Sequence, residues 1–252
     1  YIRKFKEASV VIYIDDRVIN SSLFTSHIRD ICMIHEAGLQ VIIVPGARKR
    51  IDEVLGQENI SWDIVDGCRI TKEDSMPLIK MAAFDVSNRI MTSLAGEKKT
   101  AVIGNWVRAR GRGLRNGIDF ATSGEIDKIN TEAVKTILGN RFIPIFPCIG
   151  WSVAGKPYNI SSVQLATEIA QLVKADKLFF LLPDAEISSK AFTLPSSLSL
   201  STEERIPALN LEEAESLLEI NPIKALDSNS VYDSKNNILN LIQLGIKACK
   251  NG

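Results

Sequence analysis

Four short stretches carry the side chains and turns that could do chemistry. Two are turns that end apolar runs, Ile14-Asp15-Asp16 and Val44-Pro45-Gly46-Ala47-Arg48. In open α/β sheets, ligands bind beyond the carboxyl ends of the strands. A phosphate bound there needs glycines, so that backbone N–H groups can approach it. The second turn has one glycine and the first has none. Asp15 and Asp16 would repel a polyphosphate unless a metal intervened, and read alone they form a solvated turn with two carboxylates. Gly67-Cys68-Arg69-Ile70-Thr71 closes an extended stretch before a helix. An arginine there either pairs bidentately with a carboxylate or sits at the surface. Tyr158-Asn159-Ile160-Ser161-Ser162 opens a helix, where Asn and Ser serve as ligand contacts or as caps.

Other candidates are weaker. Arg108, Arg110, Arg112 and Arg115, with Trp106 nearby, are the best nucleic-acid feature available, and they equally suit a tight hairpin with a solvated face. His27 and His35 share a helix with no Cys or carboxylate cluster at ligand spacing, so no metal site is expected. Neither a Ser-His-Asp arrangement nor a Gly-x-Ser-x-Gly elbow occurs.

These stretches need a scaffold. The runs at 9–14, 40–44 and 177–182 read as buried strands, and the periodic segments at about 21–37 and 47–55 read as helices after the first two turns. Thr71 with Asp74 predicts a near capping box opening a helix to about 94. Residues 100–127 read as hairpins, and 130–138 as a helix. In the strand at 142–146, Pro144 predicts an edge or a bulge. Helices follow from Ser161 to about 175, at 211–219 and at 233–250, with a Ser- and Pro-rich excursion between Pro183 and Leu209. Strand–helix–strand alternation predicts an α/β fold with a largely parallel central sheet and helices on both faces. One domain over 1–252 is expected, its halves meeting near residue 150 (1–150 and 151–252).

Composition agrees. The 252 residues are 45% hydrophobic and 24% charged, and 30 Lys and Arg balance 30 Asp and Glu. That disfavours disorder and a strongly basic nucleic-acid binder. No apolar run is long enough to span a membrane. Four scattered cysteines without a disulfide framework favour a reducing compartment. The expectation is the cytoplasm, or a mitochondrion or plastid in a eukaryote. Tyr1 in place of Met, and a Gly stop at the end of the last helix, suggest a piece of a longer chain.

In order along the chain stand Tyr1-Ile-x-x-Phe5, Val44-x-Gly46-Ala47-Arg48, Gly67-x-Arg69-Ile-Thr71, Gly104-Asn105-Trp106, Gly117-Ile-Asp-Phe120-x-x-Ser-Gly124, Tyr158-Asn159, Ala166-Thr-x-x-Ala170 and Lys174-Ala-Asp-Lys177-Leu178. Together they resemble the amino-acid kinase family, and within it the kinase-like domain of the N-acetylglutamate synthases, next to the acetylglutamate kinases. The resemblance covers nearly the whole chain and implies a carbamate-kinase-like fold. The departures set it apart from the working kinases. Tyr13 stands at the family's lysine, Asp15-Asp16 where glycines belong, Val163 at a catalytic Asp and Leu241 at the second catalytic Lys. Phosphoryl transfer relies on positioning and on positive charge facing the phosphates, so these losses imply no kinase activity and no catalytic residue.

The resemblance further implies a regulatory and oligomerisation domain in arginine biosynthesis. The acetyltransferase would lie outside this chain and use acetyl-CoA on glutamate, with no cofactor in the chain itself. Gly46, Ala47, Arg69 and Asn159 match positions that hold the acetylated amino acid, in a vestigial pocket for glutamate or N-acetylglutamate. Tyr1 and Lys177 match an L-arginine effector site. The family continues past Gly252 with a strand and loop of that site, so arginine binding by these residues is expected to be weak. Homo-oligomers are implied, and neither nucleic acid nor membrane. The alternatives are an active acetylglutamate kinase using ATP, and a non-catalytic binding module.

Overall fold

Val10–Ile14 and Val41–Val44 are unbroken apolar runs, a pattern that suits strands covered on both faces. The computed structural model describes residues 8–183, 186–195, 198, 201, 205–228 and 230–251. The first half of the chain runs β1 (Ser9–Ile14), α1 (Asp16–Ile19), α2 (Phe24–Glu36), β2 (Gln40–Pro45), α3 (Arg48–Gln57), β3 (Ile64–Val65), β4 (Cys68–Arg69), α4 (Met76–Gly96) and β5 (Ala101–Ile103). Then follow β6 (Val107–Gly111), β7 (Leu114–Arg115), β8 (Ile118–Asp119), β9 (Gly124–Ile129), α5 (Thr131–Gly139), β10 (Ile143–Ile145), β11 (Ile149–Trp151) and β12 (Pro157–Asn159). The chain continues with α6 (Ser162–Val173), β13 (Lys177–Leu181), α7 (Leu211–Ile220) and α8 (Ser234–Asn251).

The central sheet has the order β13-β1-β2-β10-β5, and every pairing in it is parallel. Side chains alternate across it. Val10, Ile12, Ile14, Val41 and Ile43 pack with α1 to α4. Val11, Tyr13, Ile42 and Val44 pack with α5, α6 and a second sheet of order β12-β11-β6-β9. This is the expected α/β fold with both faces covered. Parallel pairing also puts the carboxyl ends of β1 and β2, and hence both candidate turns, on one rim.

Several local expectations are corrected. The second, mixed sheet has no counterpart in the sequence reading. Pro144 is neither at an edge nor in a bulge, because β10 lies between β2 and β5. In a parallel ladder alternate N–H groups point to alternate neighbours, and Ile143 N–H goes to the β5 side while Phe146 N–H donates to Ile43 at 2.9 Å. Pro144 therefore lacks the N–H that would have faced β2, and β10 pairs with β2 only at Ile145. Thr71 is no helix cap. It is fully buried and committed to tertiary contacts, and the helix begins at Met76 with a proline in its first turn. Lys177–Leu181 is an edge strand rather than a buried one, with Phe179 44% exposed. Among the described residues no strand pairs its outer side.

Two hairpins use positive-φ pairs that suit type I′ turns: Asp66-Gly67 (φ 49° and 72°) between β3 and β4, and Asn116-Gly117 (51° and 79°) between β7 and β8. After β13, Ser188 and Arg205 form an isolated antiparallel bridge. It is reinforced by Ile206 N–H donating to Ile187 at 2.8 Å and by an Arg205–Glu186 ion pair at 3.1 Å. Helices α7 and α8 close a small third cluster on Phe192, Leu217 and Leu239.

Candidate functional site

A cleft of about 350 Å³ opens on the rim formed by β1, β2, β4 and the start of α6. Its floor is built by the first turn. Asp15 caps the four-residue helix α1, accepting from Arg17 N at 2.9 Å. Its carboxylate takes the Arg17 guanidinium through two bonds of 2.8 and 3.0 Å. Asp16 is 3% exposed. Its carboxylate points at the beginning of α3, accepting the Arg50 backbone N–H at 2.9 Å, with the Lys49 N–H contributing. Burial pushes its pKa up to about 6 in spite of these donors.

The second turn packs on the first. Gly46 N–H donates to Ile14 at 2.8 Å. A Cβ on Gly46 would stand 2.6 Å from the Tyr13 hydroxyl, so a larger residue there would have to displace that ring. Tyr13 is buried, with burial raising its hydroxyl pKa and Ser162 as a hydrogen-bond partner. Ala47 is 2% exposed. Arg48 leaves the turn and donates to Val231 O at 3.1 Å.

Arg69 and Asn159 form the opposite wall. The Arg69 side chain is 6% exposed and ion-paired with Asp52, and its guanidinium lies 4.9 Å from the Trp62 ring centre. Asp52 also accepts from the Tyr232 hydroxyl, whose own pKa is raised by burial and by that partner. Asn159 Nδ2 donates to Thr71 Oγ1 at 3.1 Å, and Thr122 Oγ1 donates to Thr71 O at 2.7 Å. The structure thus brings Ala47, Arg69 and Asn159 to one cleft, with Gly46 behind them against Tyr13, which also lines it. Val163 and Leu241 line it too, so the two positions compared with catalytic groups present apolar side chains there. Lys235 instead holds its ammonium 5.3 Å from the Phe192 ring centre.

Lys177 lies elsewhere. It opens β13 in register with Val10, at the amino ends of the strands and away from the cleft, beside an apolar pocket between α6, β13 and α8. Tyr1 falls outside the described residues. Asp52 and Tyr232 were missed by sequence reasoning, and Arg112 was read there only as part of a basic stretch. Asp52 and Tyr232 are 180 positions apart, and no local pattern links them. Of the basic stretch, Arg110 and Arg115 both reach Glu125, at 3.8 and 2.8 Å. His35 is a packing residue, with Nε2 3.1 Å from Arg141 O and the Arg141 guanidinium returning to His35 O at 2.6 Å. No helix among the described residues is long and apolar enough to cross a membrane.

Residues 10–219 match the amino acid kinase family. The chain belongs to that family. Among curated relatives of this amino acid kinase member, the amino-acid acetyltransferase of Shewanella oneidensis is 33% identical over 187 residues, which cover 71% of the chain and 42% of the relative. The N-acetylglutamate synthase of Neisseria gonorrhoeae, solved with coenzyme A and N-acetylglutamate, matches 100% of the chain and 54% of its own at 26% identity and a TM-score of 0.81. The same enzyme solved with coenzyme A and L-arginine gives 25% identity and a TM-score of 0.82, over 100% of the chain and 56% of its own. Carbamate kinase of Giardia lamblia shares the fold, with a TM-score of 0.63 at 14% identity over 97% of the chain and 89% of its own. The chain spans about half the length of the curated relatives it matches.

Proposed function

We propose that this chain is the kinase-like domain of an N-acetylglutamate synthase. In this reading it has kept the family's cleft, lost phosphoryl transfer, and serves regulation and oligomer assembly in arginine biosynthesis in the cytoplasm. The acetyltransferase that would use acetyl-CoA and glutamate lies outside these residues. Residues 1–150 carry the acetylamino-acid end of the cleft and 151–252 the vestigial nucleotide end. Arg69, Asn159, Gly46 and Ala47 hold N-acetylglutamate or glutamate. Lys177, with Tyr1, belongs to an L-arginine site.

One observation carries the loss of kinase chemistry: the Asp16 carboxylate sits on the N-terminal N–H groups of α3. A helix N-terminus offers unpaired N–H donors and positive potential to an anion. Here a side chain of the protein itself takes both and adds negative charge where phosphate charge would develop. The apolar Val163 and Leu241 in the cleft lining support the same reading, since neither can hold a metal–phosphate group or offset its charge. The test is a coupled assay for ADP release with ATP, magnesium and N-acetylglutamate. No turnover above buffer is expected, and robust turnover would overturn the proposal in favour of a working acetylglutamate kinase.

A further inference from the structure

We propose that Arg112 is a second carboxylate-recognition residue, and that the cleft takes a small dicarboxylate with one carboxylate on Arg69 and the other on Arg112. This deepens the reading above and rests on Arg69 and Asn159 holding a carboxylate.

Two guanidinium N–H groups in the cleft are buried without a hydrogen-bond partner among the described residues: Nη1 of Arg69 and Nε of Arg112. A buried donor on a cation that lacks an acceptor is unfavourable and calls for one. One residue sets both arginines on the same wall. Ser123 Oγ donates to Arg69 O, and Arg112 N–H donates to Ser123 O at 3.0 Å. The charge of Arg112 also reaches the Cys68 thiol, next to Arg69.

Three of the protein's own carboxylates nearby are engaged. Asp52 holds Arg69 and Tyr232, and Glu125 holds Arg115 and Arg110. Asp119 accepts from Ala121 N–H at 2.9 Å. Among the described residues the Arg112 guanidinium has the Phe120 ring as its neighbour, 5.9 Å away. Lys224 adds a further cation to the lining and Asp66 a further carboxylate. The free donors sit on two guanidiniums from separate segments, Arg69 in β4 and Arg112 in the loop between β6 and β7, so they suit two anionic groups on a short chain better than one phosphate. The helix end that would have served a phosphate is filled by Asp16. The volume lies at the small-molecule end of ligand pockets.

Titration calorimetry tests this with N-acetyl-L-glutamate and N-acetyl-L-glutamine, which replaces the side-chain carboxylate by a neutral amide of the same shape. The full chain is expected to prefer N-acetylglutamate. Arg112→Gln should weaken that ligand by roughly tenfold to a hundredfold and leave N-acetylglutamine unchanged, whereas Arg69→Gln should weaken both. Arg112→Lys keeps the charge without the Nε–H, and replaces Arg112→Gln if circular dichroism shows that variant unfolded. A preference that survives in the Arg112 variants overturns the Arg112 assignment and leaves the Arg69 reading standing. A loss confined to the Arg112 variants overturns the Arg69 reading. Failure of both ligands to bind the unaltered chain overturns both, and tighter binding of inorganic phosphate overturns the dicarboxylate class.

Discussion

Asp16 is a carboxylic acid held against its own chemistry. Its folded pKa lies above the ordinary value, about 6 against 3.8. Between those two values the folded chain keeps a proton that the unfolded chain has released. The contribution of Asp16 to stability therefore falls as pH rises through that window. At neutral pH it is unfavourable by up to ~3 kcal/mol. Asparagine keeps an oxygen for the Arg50 N–H and carries no charge. Asp16→Asn should gain melting temperature relative to the unaltered chain as pH is raised from acid to neutral, and a difference that stays flat across pH would refute this account of Asp16. The sequence shows why only part of the cleft was legible. Asp15-Asp16 stands out by charge, and Arg69 by its place at a strand end. That Asp16 turns back onto α3, 34 residues on, and that Tyr232 comes down onto Asp52, are results of packing that no local spacing encodes.

Elements differ in the same way. The strands β1 and β2 and the helix α2 were legible because burial on both faces, or on one stripe, writes itself into consecutive residues. The second sheet was not, because β11 and β12 have three residues each and become strands only through partners far along the chain. Its packing is tight. A Cβ on Gly150 in β11 would lie 2.5 Å from the Cβ of Ala109 in β6, and one on Gly124 in β9 would lie 2.6 Å from the Cβ of Tyr158. Gly150→Ala is thus expected to destabilise the chain by about 1–3 kcal/mol in urea unfolding. Gly139→Ala, at the end of α5 with open space around it, should not. Equal midpoints for the two variants would show that β11 can shift away from β6. Thr71 gives the opposite lesson. Its spacing to Asp74 has the form of a cap, yet its N–H donates to Ser123 Oγ at 2.9 Å, so tertiary hydrogen bonds outweighed a local signal.

For the molecule as a whole, the α/β class followed from the alternation of strand and helix, and the amino acid kinase family from the order of its turns. Strand order did not follow, and with it went the expectation that 177–182 is covered. Among the described residues nothing pairs the outer side of β13 beside Phe179, the kind of edge that seeds association between chains unless it is blunted or paired. Phe179→Lys is expected to lower concentration-dependent light scattering and leave the melting temperature within about 1 °C, as is usual for exposed positions. Scattering unchanged by the lysine would mean that chains meet elsewhere. The bridge between Ser188 and Arg205 bears on how such a chain can change over generations. It fixes the two ends of the connection from β13 to α7. Lengthening a loop whose ends are already held together changes its closure free energy only logarithmically, by about 0.6 kcal/mol for each doubling. Insertions there leave Arg48 on Val231 and Tyr232 on Asp52 untouched. Descendants of this chain are free to vary in length between Leu194 and Arg205, past the buried Phe192, whereas the cleft has to be inherited nearly whole.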